Sequence, residues 1–151
     1  MQTSENGVKA IIDFEGMKLN AYRCPAGVWS IGVGHTGDVD GKPIGKGMRI
    51  SEAKAMKLLR DDLFKVEKFV EGQPFADKLT QPQFDALVSF VFNVGAAAFQ
   101  TSALRRKLCS CIATAAEEFS RWVYGTVNGK KEKLPGLVAR RKREREMFEA
   151  G

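Results

Sequence analysis

Between Ser51 and Val70 the apolar residues Met56, Leu59, Leu63, Val66 and Val70 recur at alternating steps of three and four, the spacing of one helical face. Twenty residues of α-helix span about 30 Å. An element that long either bridges two lobes or runs through one core, and both arrangements satisfy the pattern. The segments on its two sides differ in kind, and that difference sets the fold class.

Before it, Leu19 to Gly47 is rich in glycine and turn residues and reads as a small antiparallel β region. Cys24-Pro25-Ala26-Gly27 is a turn that feeds a strand from Val28 to Gly34, and Asp40-Gly41 marks a second hairpin turn. In that strand Trp29, Ile31 and Val33 share one face; Ser30, Gly32 and Gly34 share the other. The second face has one hydroxyl and almost no bulk. A ligand approaching the backbone and a twisted or bulged structural strand both account for it.

After the long helix, Thr80 and Gln83 form a capping box for a helix that is apolar nearly all round and stops at Gly95, the expected centre of a larger helical lobe. Shorter helices are expected at Ser102 to Leu108 and Ile112 to Trp122. A loop containing Asn128-Gly129 and Pro135-Gly136 then leads to a last helix, Leu137 to Phe148. The order describes an α+β chain with a helix-dominated second lobe.

Charge narrows the choice of partners. The chain of 151 residues carries 24 Lys and Arg against 18 Asp and Glu, a formal +6, which favours a polyanion without choosing among nucleic acid, membrane surface and wall polymer. Arg140, Arg141, Lys142, Arg143 and Arg145 concentrate the charge, but Glu144, Glu146 and Glu149 interleave with them, and a solvated face laced with salt bridges is expected there. No apolar run is long enough to cross a bilayer, and Met1 to Gly7 is polar, so a cytosolic product without stable membrane insertion is expected. Cys24, Cys109 and Cys111 read as free thiols. One histidine and no CxxC pair disfavour a metal site, and His35 has no nucleophile motif beside it.

Glu15 is the residue with the clearest chemical promise. Val8, Ile11 and Ile12 form a helical stripe, Glu15 completes it, and Gly16 ends the helix. A carboxyl group where a core face meets a loop is half desolvated, as suits a general acid; a partly buried Glu that snorkels or pairs with an Arg occupies the same position.

From Glu15 onward the chain resembles a known family. Glu15, eight residues, Cys24, five residues and Ser30 look like the signature of phage-type lysozymes (endolysins of glycoside hydrolase family 24): Glu, eight residues, Asp or Cys, five residues, Thr. The run Ala21 to Gly37 agrees closely with it. Gln83 to Leu87, Phe92-Asn93-Val94-Gly95, Trp122 and Leu134 to Leu137 with Arg140 and Arg141 recur in order, so the resemblance covers essentially the whole chain.

The resemblance implies a lysozyme-like domain over residues 1–151. A small β lobe (17–50) and a helical lobe (72–151), on which helix 4–15 packs, would be joined by a long helix (51–71), with the substrate cleft between the lobes. It implies a metal-independent, cofactor-free muramidase acting as a monomer on bacterial peptidoglycan, with no nucleic-acid partner. Such an enzyme would reach the periplasm and wall from the host cytoplasm after a holin-type lesion. Glu15 would protonate the leaving oxygen, Ser30 and Cys24 would position the attacking water, and Gly32 and Gly34 would lie against substrate. His35 would be structural, paired with an acidic residue of the long helix, Asp62 first. Two departures leave room for an impaired wall-binding module of the same fold. Cys24 offers a thiol, which in its ordinary form does not match a carboxylate electrostatically. Ser30 keeps the hydroxyl of Thr but loses the methyl that restricts its rotamer, so Ser30→Thr is expected to clear bacterial walls faster than the parent in a turbidity assay.

Overall fold

The computed structural model describes residues 1–151. Its backbone contacts divide the chain into two compact units, one formed by Lys9–Lys65 and the other by Met1–Val8 with Val66–Gly151. The boundaries fall inside α1 (Glu5–Glu15) and α2 (Glu52–Glu71). The architecture is α+β, predominantly helical with two small sheets.

In the unit of Lys9–Lys65, β1 (Lys18–Arg23) and β2 (Trp29–Gly32) pair antiparallel, with Tyr22 opposite Ser30 and Arg23 opposite Trp29. The strands close over an apolar cluster of Ile31, Val39, Ile44, Ile50, Ala55 and Leu58, flanked by Met17, Leu19, Ala21, Trp29 and Met48. Asp40 and Gly41 both have positive φ (51° and 79°) within the Val39–Lys42 bridge, the two-residue turn that an Asp-Gly pair favours. Ser51 caps α2 as its sequence position suggests: its Oγ accepts the Lys54 amide at 3.0 Å.

The larger unit is built on α3 (Gln81–Val94). Thr80 and Gln83 exchange the reciprocal capping-box hydrogen bonds, and Phe84 through Val91 are all buried, as expected of a helix apolar on every side. α4 (Ala96–Gln100) and α5 (Ala103–Ser110) follow, the latter capped by Ser102 Oγ on the Arg105 amide at 3.1 Å. Phe99 on α4 is fully buried and meets Phe69, Phe75 and Phe90 edge-on at centroid distances of 5.9, 6.5 and 6.2 Å. That packing explains a short helix with no sequence signal of its own.

Three expectations for this unit are corrected. Ile112 to Trp122 is not one helix but two 3₁₀ segments, Ile112–Thr114 and Ala116–Arg121, because the chain turns tightly to deliver Phe119 against Phe90 at 5.5 Å and toward Phe148. The stretch expected to be a loop contains a hairpin, β3 (Tyr124–Val127) with β4 (Lys130–Lys133), turned by Asn128 (φ 52°) and Gly129 (φ 76°); α6 (Pro135–Glu149) starts at its proline.

The third correction concerns the charged face of α6. Arg140, Arg141 and Glu144 are buried. Glu144 accepts Ser89 Oγ at 2.6 Å, Arg140 Nε at 3.3 Å and Arg141 Nη1. Arg141 also donates to the Trp122 carbonyl at 2.9 Å and to Asn93 Oδ1, and lies 4.9 Å over the Phe90 ring. Basic and acidic residues alternating at i and i+3 or i+4 look the same whether they face water or each other across a core. Here they clamp α6 to α3.

Candidate active site

The candidate site residues Glu15, Cys24, Ser30, Gly32, Gly34, His35 and Asp62 all lie in the unit of Lys9–Lys65. Glu15 is the last residue of α1 and half-buried; Gly16 follows with φ 74° and returns its amide to the Ile12 carbonyl at 2.7 Å, which ends the helix where the stripe ends. A Cβ at Gly34 would lie 3.3 Å from Glu15 Oε2, and Gly34 has φ 67°. The glycine therefore meets two demands at once, a left-handed backbone and room for the carboxylate beside it.

Cys24 and Ser30 meet at one backbone atom. The Cys24 amide donates to the Val28 carbonyl at 2.9 Å, and Ser30 Oγ donates to the same oxygen at 3.3 Å. The Gly27 amide donates to the Cys24 carbonyl at 2.8 Å, which closes the predicted Pro-Gly turn. Ser30 is buried, whereas Cys24 is half-buried with a free thiol. Val28 was not visible from the sequence, because its contribution is a main-chain oxygen that any residue supplies.

The strand expected from Val28 to Gly34 stops at Gly32. Gly32 (φ 66°) and Gly34 carry the chain through a tight turn closed by Ile31 and His35, whose amides and carbonyls bond reciprocally at 2.9 and 3.0 Å. Two-residue alternation fails there. A Cβ on Gly32 would meet Ala55 and Ile50 at 3.6 Å, so this glycine lies against the apolar cluster, while Gly34 lies beside Glu15.

His35 and Asp62 pair as the resemblance implied. Nδ1 lies 2.7 Å from Asp62 Oδ2 on α2, and Nε2 lies 3.2 Å from the Asp38 carbonyl. Both partners are acceptors, so a neutral ring donates to one and only the doubly protonated ring donates to both. The pair anchors the glycine turn to α2. His35→Ala removes the link between the glycine turn and α2 and is expected to cost about 1–3 kcal/mol and to slow wall clearing by loosening Gly34; thermal melts and turbidity read the two effects.

The family described as Phage lysozyme matches residues 12–144. The chain belongs to the phage lysozyme family, glycosidases that act on peptidoglycan. It is 40% identical over 151 residues to an endolysin of Acyrthosiphon pisum secondary endosymbiont phage 1, covering 99% of both chains. Among solved structures it resembles an endolysin from Escherichia coli O157:H7 phage FAHEc1, with TM-score 0.87 and 37% identity over 98% of this chain and 93% of that one. It also resembles the muramidase domain of SpmX from Asticaccaulis excentricus, with TM-score 0.84 and 36% identity over 97% of each.

Proposed function

We propose that this chain hydrolyses the β-1,4 bond between N-acetylmuramic acid and N-acetylglucosamine in peptidoglycan, and so lyses the host cell at the end of phage growth. The observation that carries the reading is Glu15, a half-buried carboxyl group at the end of α1 with the bare backbone of Gly34 beside it. Glycosidic cleavage passes through an oxocarbenium-like state, and Glu15 is the acid that protonates the departing oxygen. Gly34 leaves space for a sugar next to that acid; Gly32 shapes the turn that presents it.

Ser30 and Cys24 act on the water. The Val28 carbonyl orients the Ser30 hydroxyl, whose lone pairs remain to accept from a water molecule, and the same carbonyl fixes the start of the Cys24 turn. His35 and Asp62 hold the turn and stay out of the chemistry. The chain works as a monomer, without metal or cofactor, and reaches the wall from the cytoplasm through a holin-type membrane lesion.

Permeabilised Gram-negative cells provide the test. Wild-type protein should clear their turbidity, and Ser30→Ala should clear it about tenfold more slowly, the worth of one well-placed hydrogen bond, while still sedimenting with purified sacculi. Failure of the wild-type protein to clear such cells, with sacculus binding intact, would instead support a wall-binding module that has lost its chemistry.

A further inference from the structure

Residues 121–145 hold nine Lys and Arg against two carboxylates, Glu132 and Glu144, an excess of seven in a chain whose total is +6. Arg140, Arg141 and Glu144 are buried in the clamp between α3 and α6. Arg121 pairs with Glu118 at 2.7 Å, Arg145 pairs with Glu149 at 2.8 Å, and Arg143 is also engaged. What remains is Lys130, Lys131 and Lys133 on the hairpin of β3 and β4 and Lys142 on α6, which are exposed and form no ion pair. None of the residues of the proposed chemistry is in this region.

The register gives the patch a shape. Tyr124 pairs with Lys133 and Thr126 with Lys131, so these four side chains share one face of the two-stranded sheet. Tyr124 is 50% exposed, and Lys131 Nζ stands 4.9 Å from its ring centre. On this side opens a groove of about 450 Å³ lined by Arg121, Trp122, Tyr124, Lys131 and the hydroxyl-bearing Thr101 and Ser102. A second, smaller groove of about 220 Å³ is lined in part by Lys133 and Lys142.

Aromatic faces beside unpaired ammonium groups suit a ligand that has both apolar ring faces and negative charge. A glycan that carries acidic peptide stems has both: the C–H face of a pyranose stacks on Tyr124 while the stem carboxylates meet Lys131 and Lys133, and Arg121 beside them is already paired with Glu118. A nucleic-acid strand would use the charge, but a two-stranded sheet with one exposed aromatic offers few bases a platform. A lipid headgroup layer would use the charge and leave the groove empty.

We propose that the β3–β4 hairpin and its groove, built from residues outside the unit of Lys9–Lys65 that carries the proposed chemistry, form a second glycan-holding surface that docks the carboxylate-bearing strands of peptidoglycan. The proposal rests on the muramidase reading for the identity of the polymer. Two attachment points on one polymer slow dissociation without changing the chemical step, so the surface acts on retention at the wall.

The test uses the full chain with Glu15→Gln, which holds turnover out of the measurement, and purified sacculi in a sedimentation assay across a salt series. Adding Tyr124→Ala and Lys131→Glu together should weaken sedimentation by about tenfold, the loss of a small interfacial anchor. Lys46→Glu in the other unit should change it little, and the parent's advantage should fade with rising salt. Circular dichroism melts confirm that each variant is folded. In the active background the double variant should keep the wild-type rate on a short soluble oligosaccharide and lose rate on sacculi. Equal sedimentation of parent and double variant would overturn the proposal. So would equal losses from Lys46→Glu, which would show net charge alone at work, or a larger loss on single-stranded DNA or on vesicles of anionic lipid than on sacculi. Release of soluble wall fragments is followed in the same tubes: a Glu15→Gln parent that releases fragments counts against the muramidase reading, and unchanged sedimentation of the double variant without such release counts against the second surface.

Discussion

Glu15→Gln is expected to lower the rate of wall clearing by about 10²- to 10⁴-fold, the usual worth of a positioned general acid, while leaving the melting temperature close to the parent value. The amide keeps the size of the side chain and its place beside Gly34, but its N–H groups are not acidic and cannot transfer a proton to a departing sugar oxygen. Folding should tolerate the change because the residue ends α1 half-buried, outside the apolar cluster of its unit. Gly34→Ala should act in the same direction for a different reason, since it strains a backbone at φ 67° and puts a methyl group 3.3 Å from the carboxylate. Undiminished clearing by Glu15→Gln would remove the acid from the mechanism.

The largest effect on stability is expected at Glu144, far along the chain from any residue of the chemistry. Glu144→Ala withdraws the shared acceptor of Ser89 Oγ, Arg140 Nε and Arg141 Nη1 at a site with no solvent exposure. Removing one partner of a buried ionic group costs about 3–5 kcal/mol, and in a chain of this length that lowers Tm by roughly 10 °C. Glu144→Gln keeps the volume and one acceptor oxygen, so the difference between the two variants separates lost charge from lost packing. The rate per folded molecule at low temperature should change little in either, because no atom of this cluster belongs to the proposed chemistry. A drop of only a degree or two in both would mean that Arg140 and Arg141 are satisfied without Glu144 and that the clamp is incidental.

These two sites show what a sequence can and cannot disclose. Glu15 was legible because its position depends on local rules: helical spacing of apolar residues before it and a glycine after it. Ser51 capping α2, the Thr80–Gln83 box and the Asp40-Gly41 turn are local in the same sense. The pairing of His35 with Asp62 came from family resemblance, because nothing short-range ties a loop histidine to a helix residue so far along the chain. The burial of Arg140, Arg141 and Glu144 depends on what α3 presents to α6, and charge pattern alone is blind to it. The role of Val28 is blind in another way, being main chain. The hairpin of β3 and β4 did have a signal: Asn128-Gly129 between Tyr-Gly-Thr-Val and Lys-Lys-Glu-Lys is a two-residue hairpin turn. Its all-polar second strand hid the signal, since alternation of apolar and polar residues never appears there.

The central claim is that a glycosidic bond is broken by water with Glu15 supplying the proton, and product analysis in heavy-oxygen water tests it most directly. Peptidoglycan digested by the wild-type protein in such water should yield fragments ending in reducing N-acetylmuramic acid that carry one heavy oxygen, and Glu15→Gln should yield almost none. Fragments ending in anhydro-muramic acid without label, or labelled peptide ends in place of sugar ends, would contradict the account.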